Sequence, residues 1–270
     1  MKYGLTEAQL QTILSILAKH ADIEEAVLFG SRAMGTYKEA SDIDIAIKGE
    51  NLAAKTAGTV KLQMEDTYLP FFVDVVDYTR IDNPAFIEHI DSKGVSIYRK
   101  GWQEYILEDA VEKFIDYRGK TPPKTDAGIP LVTAKIVKNG AIQTPSEFIS
   151  EETYDQWMTR GFPKQNDVVL TTEAPLGEVA LLKDENVALA QRIILMRGKA
   201  GVLNNGFLKY YFQSRDGQHL LQSRASGTTV FGIKAAVLKK IPITIPPLPE
   251  QEAITAVLAS LDDKIDLLHR

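Results

Sequence analysis

The chain has 270 residues, a formal net charge of −5, no cysteine and four histidines. The absence of cysteine excludes disulfides, thiolate catalysis and Cys-ligated zinc, and the acidic balance argues against a protein that coats nucleic acid broadly, although a local basic patch stays compatible with it. No apolar run approaches the roughly 20 residues of a membrane span and the N-terminus lacks a basic-then-apolar signal pattern, so a cytoplasmic protein of about two domains is expected, with no membrane partner.

In chain order, Thr6 to Gln9 reads as a capping box, and Leu10, Ile13, Leu14 and Leu17 form the apolar stripe of a first helix. Residues 26–29 read as a buried strand running into a Gly30-Ser31 turn that opens a short helix. Backbone N–H groups of such a turn can hold a phosphate. Ten residues separate Ser31 from Asp42-Ile43-Asp44. Residues 41–47 alternate polar and apolar, which points Asp42 and Asp44 the same way, about 7 Å apart along a strand. Residues 51–65 read as a helix, and residues 71–76 as an apolar strand interrupted by Asp74. A helix starting at Asn83-Pro84 and a short strand over 95–98 complete a unit of about 100 residues.

Three carboxylates brought together suit a hard cation such as Mg²⁺, and two carboxylates on one face of a buried strand are costly without a positive partner. Two Mg²⁺ ions about 4 Å apart can activate an attacking hydroxyl and stabilise a leaving pyrophosphate. The expected roles are Asp42 and Asp44 on both metals, Asp74 on one metal and on deprotonation of the acceptor, and Gly30, Ser31 and Arg32 on the nucleotide. Taken singly, each element reads more readily as ordinary structure: Asp42 as a strand-terminal acid, Asp74 as an edge-strand acid and Gly30-Ser31 as a helix-capping turn. In this order and spacing, the stretch resembles the minimal nucleotidyltransferases of the polymerase β superfamily. The resemblance implies an NTP substrate and, in some relatives, antitoxins that modify a partner toxin.

Lys100-Gly101-Trp102 is the expected junction, giving domains over 1–100, 101–248 and a C-terminal helix over 249–270. Beyond it, residues 129–133, 167–172, 177–182 and 192–196 read as strands, with helical pieces near 150–158 and 205–213. Pro242, Pro246, Pro247 and Pro249 punctuate an extended segment that leads into the terminal helix. Tyr210-Tyr211-Phe212 reads as core rather than as a base-stacking platform. Loop cations and small polar residues can contact phosphates and base edges; the candidates are Arg118, Lys120, Lys124, Lys135, Lys138, Thr172, Arg192, Arg224, Thr228, Thr229 and Lys234. Each basic residue, taken alone, reads more readily as a solvated surface charge.

Several landmarks occur in order here: Arg118-Gly119-Lys120-Thr121-Pro122, Tyr154 with Trp157, Gly161-Phe162-Pro163, 167–177, Ala190-Gln191-Arg192, 225–230, and Pro247-Leu248-Pro249-Glu250-Gln251. Together they resemble the target-recognition domain of type I restriction–modification specificity subunits. That resemblance implies sequence-specific reading of double-stranded DNA without chemistry, and docking of a methyltransferase subunit. Such subunits usually carry two recognition domains separated by long helices; this sequence carries one and ends within the terminal helix. Ile254, Val257, Leu258, Leu261, Ile265 and Leu268 make a seam on that helix, fit either for self-association with a second specificity half or for an intramolecular core. The expected fold class is therefore α/β (α+β): a nucleotidyltransferase-fold domain with a mixed sheet, then a mixed α/β target-recognition domain with a long C-terminal helix.

Overall fold

The computed structural model describes residues 2–117, 121–227 and 231–268. The chain separates into two compact units, Met1–Trp102 and Gln103–Arg270.

In the first unit the order is α1 (Glu7–Leu17), β1 (Glu25–Phe29), α2 (Gly30–Met34), β2 (Ile43–Lys48), α3 (Thr56–Glu65), β3 (Val73–Asp77), α4 (Pro84–Lys93) and β4 (Val95–Arg99). The sheet runs β3-β2-β1-β4, with β2 and β3 parallel and the other pairs antiparallel. Thr6 closes the expected capping box with Gln9. One face of the sheet carries Ala26, Leu28, Ile43, Ile45, Ile47 and Val73, packed with Ile13 and Leu17 of α1 and Val60 and Met64 of α3. The opposite face carries Val27, Phe29 and Ala46 against Ile90 of α4. Strand alternation then leaves Asp44 and Asp74 on the α4 face, where the apolar layer gives way to acids.

Helix α3 begins at Thr56 rather than near Asn51. The Asp22 carboxylate accepts from Ala53 N at 3.1 Å and from Thr56 Oγ1 at 2.5 Å, and so ties the preceding turn to the α1–β1 loop. The two hydrogen bonds also pull the Asp22 carboxyl below its ordinary range.

The second unit contains β5 (Gln103–Ile106), α5 (Leu107–Ala110), β6 (Val111–Asp116), β7 (Ile129–Val132), β8 (Val137–Lys138), β9 (Ala141–Ile142), β10 (Phe148–Ile149), α6 (Glu151–Trp157), β11 (Val168–Thr172), β12 (Leu176–Leu181), β13 (Ala188–Leu189), β14 (Ile193–Gly198), α7 (Asn205–Gln213), α8 (Arg215–Arg224), α9 (Ala235–Lys239), β15 (Pro242–Ile245) and α10 (Leu248–Leu268). An antiparallel sheet, β12-β11-β14-β6, divides two apolar layers. One layer joins Val168, Leu170, Ile194 and Met196 to Phe207, Leu208 and Phe212 of α7. The other joins Val169, Ala180 and Leu195 to the small sheet β10-β7-β13. Strand β11 is therefore buried throughout, Thr171 and Thr172 included.

The aromatic landmarks support this second layer. Trp157 stacks on Tyr117 at 5.3 Å and donates its indole N–H to Leu189 O at 2.9 Å, while Tyr154 Oη donates to Val187 O. Asp167, 1% exposed, receives both Arg197 Nε (2.8 Å) and Arg197 Nη2 (2.6 Å), and Lys164 N closes the third contact at 2.8 Å. A buried carboxylate is tolerated when a bidentate guanidinium and a backbone donor satisfy it.

The last helix is docked at its start. Gln251, fully buried, donates to Val202 O (2.8 Å) and Pro246 O (2.9 Å) and accepts from Asn204 N (2.8 Å). Ile254 packs on the core, and Lys209 and Tyr210 both reach Asp262 at 2.9 Å. In the expected aromatic run, Phe212 is fully buried and Tyr211 packs on the core, whereas Tyr210 turns toward Asp262.

Candidate functional site

The site of the first unit is built where β1 ends and β2 begins. Phe29 of β1 is the register partner of Asp44, and Asp44 is the register partner of Asp74 on the parallel neighbour. Gly30 follows Phe29 with φ +69°, and any β-carbon there would collide with the Asp44 carboxylate. Only glycine gives the backbone both this dihedral and this approach. Asp42 precedes β2 and is exposed, while Asp44 is half-buried.

Burial, followed by the neighbouring charges of Asp42 and Asp74, pushes the Asp44 carboxyl above its ordinary range. A carboxyl whose charged form is disfavoured by burial and by neighbouring negative charge marks a place where added positive charge is favoured. The chemistry of this donor set, hard oxygens alone, fits a divalent cation such as Mg²⁺.

The structure assigns Arg32 a different task from nucleotide contact. It is 1% exposed, and its guanidinium donates to Ser41 O, Asp42 O and Tyr3 O while lying 4.1 Å from the Phe71 ring centroid. Burial lowers the guanidinium pKa, and the Asp42 and Asp44 charges oppose that shift. Arg32 thus fixes the turn that delivers Asp42 and sets a positive charge beneath the acids.

Lys61, absent from the sequence-based expectations, belongs to the site. Its Nζ lies 2.6 Å from Asp74 Oδ1, reaching from α3 to the edge strand β3. Among the described residues no three His, Asp or Glu side chains are gathered in a metal-holding arrangement. The backbone register aligns Asp44 with Asp74, and Lys61 holds Asp74.

The expected DNA contacts of the second unit are dispersed. Lys135, Lys138, Arg224 and Lys234 are exposed. Lys124 pairs with Glu147 at 2.9 Å and Arg192 with Glu173 at 3.0 Å. Thr172 is 1% exposed, its amide bonded to Arg192 O, so its hydroxyl belongs to the interior rather than to a base-reading surface. Arg118, Lys120, Thr228 and Thr229 lie outside the described residues.

On the terminal helix Leu258 is half-buried, whereas Val257, Leu261, Ile265 and Leu268 are exposed, Leu268 by 85%. The seam is thus divided: Ile254 joins the core, and the later positions face outward.

Residues 99–270 match the type I restriction modification DNA specificity domain family. The chain belongs to that family. Residues 11–102 match the polymerase beta nucleotidyltransferase family. A Haemophilus influenzae protein described as type I restriction enzyme specificity subunit S.HindORF215P is 25% identical over 189 residues, covering 64% of this chain and 46% of that protein. A structure described as the basis of complex assembly and conformational transition of a type I R-M system aligns with TM-score 0.50 at 21% identity, covering 63% of this chain and 40% of the other; it shares the fold. The HsdS subunit from Thermoanaerobacter tengcongensis aligns at 21% identity with TM-score 0.47, covering 63% and 39%. This specificity-family chain spans less than half the length of each of these three relatives.

Proposed function

We propose that this chain is a sequence-specific DNA-binding specificity protein of a type I restriction–modification-like system, carrying an N-terminal Mg²⁺-dependent nucleotidyltransferase domain. The observation that carries the first half is the family match over residues 99–270, joined to a two-layer core that keeps Lys135, Lys138, Arg224 and Lys234 on the surface. On this reading residues 1–100 form the transferase-like domain, 101–248 read DNA and 249–270 associate. Exposed Leu261, Ile265 and Leu268, with Leu258 beside them, pair with a second specificity half, and a methyltransferase subunit is the modification partner. A cytoplasmic location accords with these partners; among the described residues no helix is long and apolar enough to cross a membrane.

The register of Phe29, Asp44 and Asp74 favours a second, enzymatic reading of the same chain: transfer of a nucleoside monophosphate from an NTP to a protein or nucleic-acid hydroxyl, antitoxin-like when the acceptor is a partner protein, with the DNA-reading unit providing targeting. Asp42, Asp44 and Asp74 would hold the cation or cations. When bound there, Mg²⁺ supplies charge stabilisation at the reacting phosphate. Gly30 keeps Asp44 accessible, Ser31 faces the nucleotide, Arg32 orients the Asp42 turn, and Asp74 helps to take the acceptor proton.

Two measurements test these readings. Binding to a specific duplex should fall steeply between about 50 and 200 mM salt because phosphate contacts release counterions; salt-independent binding would oppose the DNA reading. Incubation with each labelled NTP and Mg²⁺, with and without duplex DNA, should label an acceptor; no transfer to any protein or nucleic acid would oppose the enzymatic reading.

A further inference from the structure

We propose that Lys61 is an internal counter-ion that competes with a divalent cation for Asp74, and so sets how readily the acidic site loads. The inference rests on the reading of Asp42, Asp44 and Asp74 as a cation site, and concerns a residue that this reading leaves without a role.

The backbone and the side chains of the site place Asp74 differently. By register Asp74 stands directly beside Asp44 on the parallel strand, a position from which both carboxylates can reach one ion. Yet Asp74 Oδ1 is held by Lys61 Nζ at 2.6 Å, and the described acids do not converge into a metal-holding group. The two facts have one cause if the ammonium takes the place of the cation at this carboxylate.

Three features make Lys61 suited to that exchange. Its helix is anchored, since Val60 and Met64 are buried, so the backbone origin of the side chain is fixed. Its own side chain is 42% exposed and that of Asp74 is 65% exposed, so the pair is solvent-screened and can open. Arg32 cannot substitute for it, because that guanidinium is committed to the carbonyls of Tyr3, Ser41 and Asp42. Lys61 is therefore the mobile positive charge of the site and Arg32 the fixed one. A lysine suits the mobile role: it is a point charge on a flexible stem, with no planar fork to lock a carboxylate.

The test is Mn²⁺ binding to the full chain, read by the electron paramagnetic resonance of free Mn²⁺, with no turnover required. Lys61→Gln and Lys61→Met should each tighten binding about three- to tenfold, the range expected for removing one screened competing charge a few ångströms away. Lys61→Arg should weaken binding or leave it at the parent level. In an Asp74→Asn background, Lys61→Gln should change nothing. An unchanged affinity in both Lys61→Gln and Lys61→Met would overturn the proposal, as would equal tightening with Asp74 already replaced. Failure of the underlying site reading looks different: the parent would show no Mn²⁺ binding that Asp42→Asn and Asp44→Asn remove, and the role of Lys61 would fall with it.

Discussion

Gly30 and Asp44 are packed so closely that position 30 has no room for a side chain: a β-carbon would occupy the space of the Asp44 Oδ2 oxygen. The Gly-Ser turn and the Asp-x-Asp strand are thus two halves of one surface.

Gly30→Ala should therefore do two things. At φ +69° a β-carbon costs about 1 kcal/mol or more in backbone strain, and the collision turns the Asp44 carboxylate away from its place beside Gly30. Nucleotide transfer should fall by at least about tenfold, the consequence of losing a little over 1 kcal/mol of charge stabilisation at the reacting phosphate. Thermal melts alongside a labelled-NTP assay separate the two effects; a Gly30→Ala protein with parental transfer would contradict the packing argument.

Asp44 also carries a pH signature. Its folded-state pKa is raised by burial and by Asp42 and Asp74, so the folded state binds the proton better than the unfolded chain. Stability from this group is present below the unfolded carboxylate value and is lost as pH rises through the folded one. Asp44→Asn should consequently melt higher than the parent at pH 7 to 8, with the gap closing toward pH 4, while abolishing transfer. A parent that is the more stable of the two at pH 8 would reverse the sign.

In the second unit, Asp167 and Arg197 test the buried polar frame. Arg197→Met leaves a carboxylate of 1% exposure without its bidentate partner, a change that costs about 3–5 kcal/mol. Urea unfolding of the full chain should show the loss in the transition of this unit, and Asp167→Asn should also destabilise it, because the Arg197 guanidinium, 14% exposed, then loses its counter-charge.

Gln251 is the comparable test for α10. Truncation to Ala deprives Val202 O, Pro246 O and Asn204 N of their partner, worth about 2–3 kcal/mol. Leu261→Asp with Ile265→Asp should instead leave folding intact, since both residues are about half exposed, but should abolish pairing of chains in light scattering. A parent that is monomeric at tens of micromolar would make the outer helix face a surface without that role.

Much of this was legible in the sequence, and the failures have physical reasons. The strands around Asp44 and Asp74 stood out because one apolar face alternates with the acids, and the Gly-Ser spacing marked the turn. Arg32 read as a nucleotide contact because sequence does not show that Phe71 and three carbonyls enclose its planar head. Thr172 read as a DNA contact on a strand, yet β11 is buried throughout. Strand β6 escaped notice because it is an edge strand with exposed Glu112 and Lys113. Helix α8 escaped because Gly217 and Leu221 are its only fully buried positions, too few to print a stripe. Lys61 was hidden because its partner lies across a helix-to-strand connection, where no periodicity links the two.

Sequence-specific DNA reading is tested most directly by selection of bound duplexes by the full chain from a randomised DNA pool at near-physiological salt. Enrichment of one short sequence is expected, bound far more weakly as a single site than as two correctly spaced copies, because paired sites gain effective concentration. Equal recovery of all sequences after repeated rounds would contradict it.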